Sequence, residues 1–286
     1  MATVTFVGGA QARKQIDTCT VAGTPASTET LYVECNSKRL TLTLPSGQTT
    51  SQVAAEMAAS INATSADEPE PATGYTRSCG GREIPEFRDF TAEASGSTVI
   101  LTSVTSGVPF TVTVGETMAS GTFTKAATQT ATGPNHVDNA ANYRGGALPV
   151  ANETFSAEGD VDMLYGLDYL DANNVNVSLE IDLAIYTGQI GLPATNANGK
   201  YDEHRTRCLE FDGGAGVTQG FRLYESVAGA GAQSTKIIRL DFKARDGDTI
   251  IVEAGRGVPA TPNITLVGTG NPDSPVIVAG SVRCEI

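Results

Sequence analysis

The chain has two histidines, and each lies close to a carboxylate. His136 is two residues before Asp138, and His204 follows Asp202 and Glu203. An imidazole beside an acid could serve as a general base. However, the sequence contains no Gly-x-Ser-x-Gly nucleophile motif, and both histidines occur in segments typical of turns. We therefore predict exposed turn residues at both positions, and no catalytic dyad.

Paired carboxylates could hydrolyse glycosidic bonds and are the second candidate chemistry. The candidate pairs are Asp160 with Asp162, Asp168 with Asp171, and Asp202 with Glu203. A spacing of two residues along a strand would put the carboxylates of Asp160 and Asp162 on one face. Sugar-cleaving sites also tend to present aromatic platforms, and this chain has no Trp. The sequence thus predicts no catalytic residues and a protein that is not an enzyme.

Metal and cofactor sites are not expected either. The carboxylates of Asp246 and Asp248 could offer oxygens to calcium, as could those of Asp160 and Asp162, but no complete calcium-binding loop is present. Without a CxxC motif, a zinc cluster is not predicted. We expect buried or half-buried thiols in strands. A disulfide formed after release from the cytosol is the alternative, although an odd count leaves one thiol over. The five cysteines are Cys19, Cys35, Cys79, Cys208 and Cys284.

Charge excludes two classes of partner. The net charge is −13, and the 19 Lys and Arg residues are scattered, with never more than two in a row. Nucleic-acid binding needs a basic patch that replaces phosphate counterions, so we expect no nucleic-acid partner. The same acidity disfavours an anionic membrane surface, and no apolar run reaches the roughly 18 residues of a membrane span. Met1–Ala10 lacks signal-peptide features, which predicts folding in the cytosol.

The composition predicts a mainly β fold, since Thr and Val suit strands whereas Gly and Asn suit turns. Residues 1–132 are predicted to form a small α+β domain of antiparallel strands and one helix. Asn36-Ser37-Lys38 reads as a three-residue hairpin turn. The helix is predicted over 49–63, and a long loop with Pro and Glu over 64–86 follows it. The apolar stripe of the helix comprises Val53, Met57 and Ile61, joined by Ala54 and Ala58.

A second domain is predicted from residue 133. Gly133-Pro134-Asn135 marks the boundary, and short strands separated by Gly, Asn and Asp follow it. From Leu209 onward the strand centres recur at intervals of roughly 12–15 residues. This spacing favours an all-β domain over 133–286, either a β-helix-like stack or a sandwich such as a jelly roll.

Several blocks of this sequence resemble structural proteins of bacteriophage and prophage particles. The likeness reaches about residue 215, and Tyr143 stands where that family often has Trp. In that family a small α+β domain precedes a β-solenoid-like domain. The blocks are TTSQVAAEMAASINAT (49–64), PEFRDFTAEASGSTVILTSVTSGVPFTVTV (85–114), NHVDNAANYRGGALP (135–149), LYGLD (164–168) and YTGQIGLPATNANG (186–199).

The resemblance implies a virion component that is assembled in the host cytoplasm. Acidity, stacked strands and the lack of recognisable chemistry favour a capsid decoration or cementing protein. The alternative is a tail, baseplate or fibre component that binds host surface glycans. Lateral packing of β stacks predicts a homo-oligomer, specifically a trimer. The expected partners are therefore further copies of the chain, with the major capsid protein or another virion protein.

Overall fold

A computed structural model describes most of the chain, which divides into two compact units. We call Ala12–Thr132 the α+β unit, and Met1–Gln11 together with Gly133–Ile286 the parallel unit. The sequence predicts a first domain that starts at residue 1, whereas Met1–Gln11 groups with the second half because its strand pairs there. The described residues are 2–68, 74–182, 184–196, 199–212, 218–224, 237–243, 249–254, 263–268, 276–279 and 283–285. Within them, side chains are described up to Glu210 and over 238–241.

The mainly β prediction is confirmed, since the described residues form eighteen strands, β1 to β18, and two short α-helices. In the α+β unit, two antiparallel four-stranded sheets have the orders β6-β7-β2-β9 and β5-β4-β3-β8. Helix α1 (Thr50–Asn62) packs against β6 and also contacts β2, β7 and β4. The strands are β2 (Ile16–Gly23), β3 (Thr30–Cys35), β4 (Lys38–Thr43), β5 (Thr76–Arg77), β6 (Phe90–Ser95), β7 (Thr98–Ser103), β8 (Thr113–Glu116) and β9 (Gly121–Gln129).

Helix α1 follows the predicted pattern closely. Thr49 caps its first turn, and the Gln52 side chain returns a bond to the Thr49 backbone, which forms a capping box. Val53, Met57 and Ile61 are each 0% exposed, so the predicted apolar stripe is confirmed.

The turn before helix α1 is shorter than predicted. Only Asn36 and Ser37 link β3 to β4, and both have positive φ, 51° and 61°. A two-residue turn of this kind matches the right-handed twist of a hairpin. The three-residue prediction is therefore wrong, because Lys38 already pairs with Cys35.

The predicted loop over 64–86 contains regular structure. Thr76–Arg77 forms β5, which pairs with β4. Single 3₁₀ turns follow at Gly81–Glu83 and from Pro85. The guanidinium of Arg77 donates to the carbonyls of Ala66 and Glu68, which holds the beginning of this segment beside β5. Residues 69–73 lie outside the described residues.

The parallel unit contains two sheets in which every strand pairs in parallel. Their orders are β1-β10-β11-β13-β15-β17 and β12-β14-β16-β18. Helix α2 (Tyr169–Ala172) is a single turn in a half that was predicted to be all-β. An apolar core that includes Phe6, Phe155 and Leu179 lies in this unit. The strands are β1 (Thr3–Phe6), β10 (Thr154–Ala157), β11 (Ser178–Asp182), β12 (Leu209–Asp212), β13 (Thr218–Tyr224), β14 (Ile237–Lys243), β15 (Thr249–Ala254), β16 (Asn263–Gly268), β17 (Val276–Ala279) and β18 (Arg283–Glu285).

A buried asparagine links the two segments of the parallel unit, Met1–Gln11 and the chain from Gly133, that are separated in the sequence by the α+β unit. Asn142 is 0% exposed, and its Oδ1 accepts from the N–H of Ala10 at 2.7 Å. Its Nδ2 donates to the carbonyls of Gly133 at 2.8 Å and His136 at 2.7 Å. Next to it, the ring of Tyr143 lies 5.6 Å from that of Phe6. Asn142 therefore holds the departing and returning segments beside each other.

The α+β unit has adjacent ends of its own, which predicts that it folds alone. Arg13 and Thr132 form an antiparallel bridge, with 2.7 Å between the Arg13 nitrogen and the Thr132 oxygen. We expect a fragment of residues 12–132 to unfold cooperatively on heating. Its melting temperature should equal that of a longer 1–132 fragment, because residues 1–11 contribute to the other unit. Circular dichroism melting of both fragments tests this. A fragment 12–132 without a cooperative transition would contradict it.

Candidate functional site

Both histidines belong to one cluster of polar and aromatic side chains in the parallel unit. His136 forms a parallel bridge with Tyr165, and their ring centroids are 5.1 Å apart. The guanidinium of Arg205 lies 5.6 Å from the centroid of the same Tyr165 ring. The rings of Tyr201 and His204 are 5.8 Å apart. We call the following set the polar cluster: His136, Asp138, Tyr165, Tyr201, Glu203, His204 and Arg205.

The prediction of an exposed turn residue is wrong for His136. The residue is 4% exposed, because the backbone around it pairs with a neighbouring segment: Val137 donates to the Tyr165 carbonyl at 2.8 Å. The Nδ1 of His136 lies 3.4 Å from Oδ1 of Asp138, so the histidine–aspartate pair seen in the sequence does form. His204 is half-buried beside the buried ring of Tyr201.

An ion pair stabilises the loop that carries the second histidine. Nε and Nη2 of Arg205 each donate to a different oxygen of Glu203, both at 2.7 Å. The side chains of Glu203 and Arg205 are only 1% and 13% exposed. Thr195 and Asp202 pair in an antiparallel bridge that turns the same loop back on itself. A two-pronged bond of this geometry holds the guanidinium in a defined orientation above Tyr165.

The ion pair sets the protonation state of Glu203. Burial alone would raise the pKa of this carboxyl, but hydrogen bonds from Arg205 and the charges of Arg205 and His204 lower it below the ordinary value. Glu203 is therefore an ionised acceptor at neutral pH and cannot donate a proton. In turn, the bonds to Glu203 raise the pKa of Arg205 against the opposing effect of burial.

The other predicted carboxylates do not converge. Asp160 is exposed and follows the end of β10, so the strand argument that placed it on one face with Asp162 does not apply. Asp162 accepts a bond from the backbone N–H of Gln189 at 2.7 Å and so supports a turn. Asp168 is exposed before α2, and Asp171 is half-buried within it. Asp202 is exposed beside the ion pair. Asp246 and Asp248 lie outside the described residues.

The four cysteine thiols that the structure describes are buried or half-buried. Cys19 and Cys35 are buried in β2 and β3, while Cys79 and Cys208 are half-buried, and none of these four forms a disulfide. Burial is the main reason that the pKa of Cys19 rises to about 12, which keeps its thiol protonated. Over the part of the chain that the structure describes, no three His, Cys, Asp or Glu residues are grouped to hold a metal ion. In that part, too, no helix is long and apolar enough to cross a membrane.

Sequence reasoning did not link Tyr165 to either histidine. Tyr165 is distant along the chain from both His136 and His204, so no local pattern connects them. A search for a repeat of about 30 residues would have paired His136 with Tyr165. No protein-family model matches the chain, and no curated protein is significantly similar to it.

Acidification should weaken the parallel unit through Glu203. Because its pKa is lowered in the folded state, ionised Glu203 stabilises the fold above the unfolded value of about 4.3, and this contribution disappears as the pH falls through the folded pKa. We expect Glu203→Gln to cost about 1–3 kcal/mol at pH 7 and to flatten the loss of stability between about pH 5 and pH 3. Urea unfolding at several pH values measures both effects. The exposed neighbour Asp202, replaced by Asn, is the control, and an unchanged acid slope in Glu203→Gln would refute the assignment.

Proposed function

We propose that this chain is a non-enzymatic structural protein of a bacteriophage particle, and specifically a capsid decoration or cementing protein. The observation that carries the proposal is the strand order of the parallel unit. From β12 to β18, successive strands alternate between the two parallel sheets. That alternation is expected of a β-solenoid, in which each coil contributes one strand to each sheet. An antiparallel sandwich or jelly roll would pair its strands differently.

The spacing of paired residues supports the solenoid. Thr218 faces Thr249 in one sheet and Leu209 faces Leu240 in the other, so both sheets advance by the same length of chain. The next coil advances by a shorter step that is again equal in the two sheets. Equal steps in two sheets mean that one length of chain closes each coil. Repeat stacks of this type bury a continuous apolar interior between neighbouring coils.

The α+β unit fits this scheme as an insertion into the first coil. Thr3 faces Thr154, and the whole of Ala12–Thr132 lies between them in the chain. Without that unit, the first coil would contain about 30 residues, a length close to that of the later coils. The hydrogen bonds of Asn142 to both interrupted ends suit such an insertion. A chain with two separately folded units could contact two different subunits of a shell, which suits a protein that bridges them.

Self-association as a trimer belongs to the same proposal. Val150 and Ile185, two large apolar side chains of the parallel unit, are 58% and 48% exposed. Packing of three stacks side by side would remove such side chains from water. A net charge of −13 favours solubility at high copy number before assembly. The remaining partner is the major capsid protein or another virion protein, and the site of action is the virion.

Copy number and position in the particle test the proposal. Imaging of purified particles should show this chain on the capsid surface in hundreds of copies, clustered in threes, and the free protein should sediment as a trimer. A monomer at tens of micromolar, with unclustered copies on particles, would end the trimer hypothesis. The hypothesis that the protein is not an enzyme would be refuted if it hydrolysed capsule or cell-wall polysaccharide and if this activity were lost in Asp160→Ala or Asp162→Ala.

The second candidate is a tail, baseplate or fibre component that binds host glycans. The polar cluster favours it through Tyr165 and His204, because these two half-buried side chains combine ring faces with hydrogen-bonding groups in the way that sugar sites do. A few to a few dozen copies at the tail would support this candidate. Loss of host-cell binding in Tyr165→Ala, with an unchanged melting temperature, would support it further.

A further inference from the structure

Two arginines of the parallel unit, outside the polar cluster, lie on segments that both contact the same short stretch of chain. The carbonyl of Arg207 accepts from the N–H of Leu192 at 2.9 Å, and the N–H of Arg239 donates to the carbonyl of Ile190 at 2.9 Å. The segment 190–192 thus lies between the two arginines and bonds to both. Both arginines are half-buried.

Gly191 allows this close approach. Its φ is +93°, and a Cβ at this position would stand 2.7 Å from the Cβ of Arg239 and 2.5 Å from the carbonyl oxygen of Arg207. Any larger residue would push the two segments apart. The Nη1 of Arg239 also donates to the Gly191 carbonyl at 3.1 Å, which leaves most of its guanidinium donors unused by that bond.

Neither arginine forms an ion pair within the described part of the chain, whereas Arg205, two residues before Arg207, is forked onto Glu203. The carboxylates of Asp241 and Glu210 are near enough to act on the thiol of Cys208, as both arginines do. The Nε of Arg207 is buried and has no hydrogen-bond partner. Burial, followed by the charge of Arg207, lowers the pKa of Arg239.

We infer that Arg207 and Arg239 form a binding site for a small oxyanion, a phosphate, sulfate or carboxylate group. Guanidinium forks match the oxygen spacing of these groups, and a bound oxyanion would satisfy Nε of Arg207 and remove the repulsion between the two cations. Because the site joins segments 190–192, 207 and 239, occupancy stabilises the parallel unit. This inference is independent of the proposed particle role.

Thermal unfolding of the full chain in inorganic phosphate tests the inference, with chloride at equal ionic strength as the reference. The melting temperature of the parallel unit should rise saturably, by about 3–6 °C at ten times Kd. Sulfate and acetate distinguish a tetrahedral oxyanion from a carboxylate as the preferred ligand. In Arg207→Gln and Arg239→Gln the apparent Kd should rise at least about tenfold, the equivalent of one lost charged hydrogen bond.

Arg144→Gln is the matched control, because Arg144 is an exposed arginine of the same unit that pairs with Glu158. It should keep the wild-type response to phosphate. Arg207→Lys preserves the charge and replaces the glutamine variant in this test if that variant does not fold. It should bind phosphate more weakly than wild type, since lysine lacks the two-pronged guanidinium geometry. A rise that is linear in concentration and equal in wild type and the arginine variants would overturn the inference, as would no rise at all.

Discussion

Replacing Asn142 with alanine should destabilise the parallel unit by about 3–5 kcal/mol. The side chain is fully buried and satisfies the N–H of Ala10 and the carbonyls of Gly133 and His136. Alanine would leave the N–H of Ala10 without this acceptor where water has little access, and an unsatisfied buried group of this kind costs about 1–3 kcal/mol. The carbonyls of Gly133 and His136 would keep only the longer bonds, 3.3 Å and 3.4 Å, that they accept from the N–H groups of His136 and Asn139. Urea unfolding of the full chain, followed by a probe in each unit, gives the change.

The neighbouring Asn139 provides the control for this substitution. Its side chain accepts from the N–H of Ala141, yet it sits at the more exposed start of a 3₁₀ turn, so Asn139→Ala should cost about 1 kcal/mol. Asn142→Asp should be nearly as damaging as Asn142→Ala, because a carboxylate cannot donate to the two carbonyls. The proposed role of Asn142 would be refuted by a loss below about 1 kcal/mol, or by an equal loss in the α+β unit.

Replacing Met57 should have the largest effect on the α+β unit. Met57 is 0% exposed in the centre of the α1 stripe, between Val53 and Ile61. Truncation in Met57→Ala removes packed methylene groups and leaves a cavity, which costs about 2–5 kcal/mol. Met57→Asp would bury a carboxylate in the same apolar core, and we expect that unit not to fold. Circular dichroism and thermal melting measure both outcomes.

Ala55 is the control on the same helix, since it is exposed. Ala55→Asp changes helix propensity without entering the core, so its cost should stay below about 1 kcal/mol. If Met57→Asp melted like wild type, the helix face that contains Met57 would not be packed against the sheets. The parallel unit should keep its own transition in every Met57 variant, because the two units have separate cores.

The two experiments address different interactions. Met57 acts through apolar packing between a helix and the strands near it in sequence. Asn142 acts through hydrogen bonds, one of which joins residues 132 positions apart, Ala10 and Asn142. If the α+β unit is an insertion into a solenoid coil, damage at Asn142 should lower the stability of the parallel unit and leave that of the α+β unit unchanged. A pair of results with this selectivity would support the insertion as well as the individual contacts.

Helix α1 and the β3–β4 hairpin could be predicted from the sequence because both depend on residues close together in the chain. The four-residue spacing of Val53, Met57 and Ile61 and the cap at Thr49 are local signals. The strand-rich composition similarly indicated a mainly β chain.

Only the tertiary structure decided which strands pair and which polar side chains meet. The pairing of β1 with β10 joins residues such as Thr5 and Ser156, 151 positions apart, and periodicity along a single strand carries no information about such a partner. The same holds for the contact of His136 with Tyr165, for the approach of Arg207 and Arg239, and for the three bonds of Asn142. The physical reason is that a local pattern reports which face of a segment is buried, whereas parallel pairing over long separations depends on the packing of distant segments against one another.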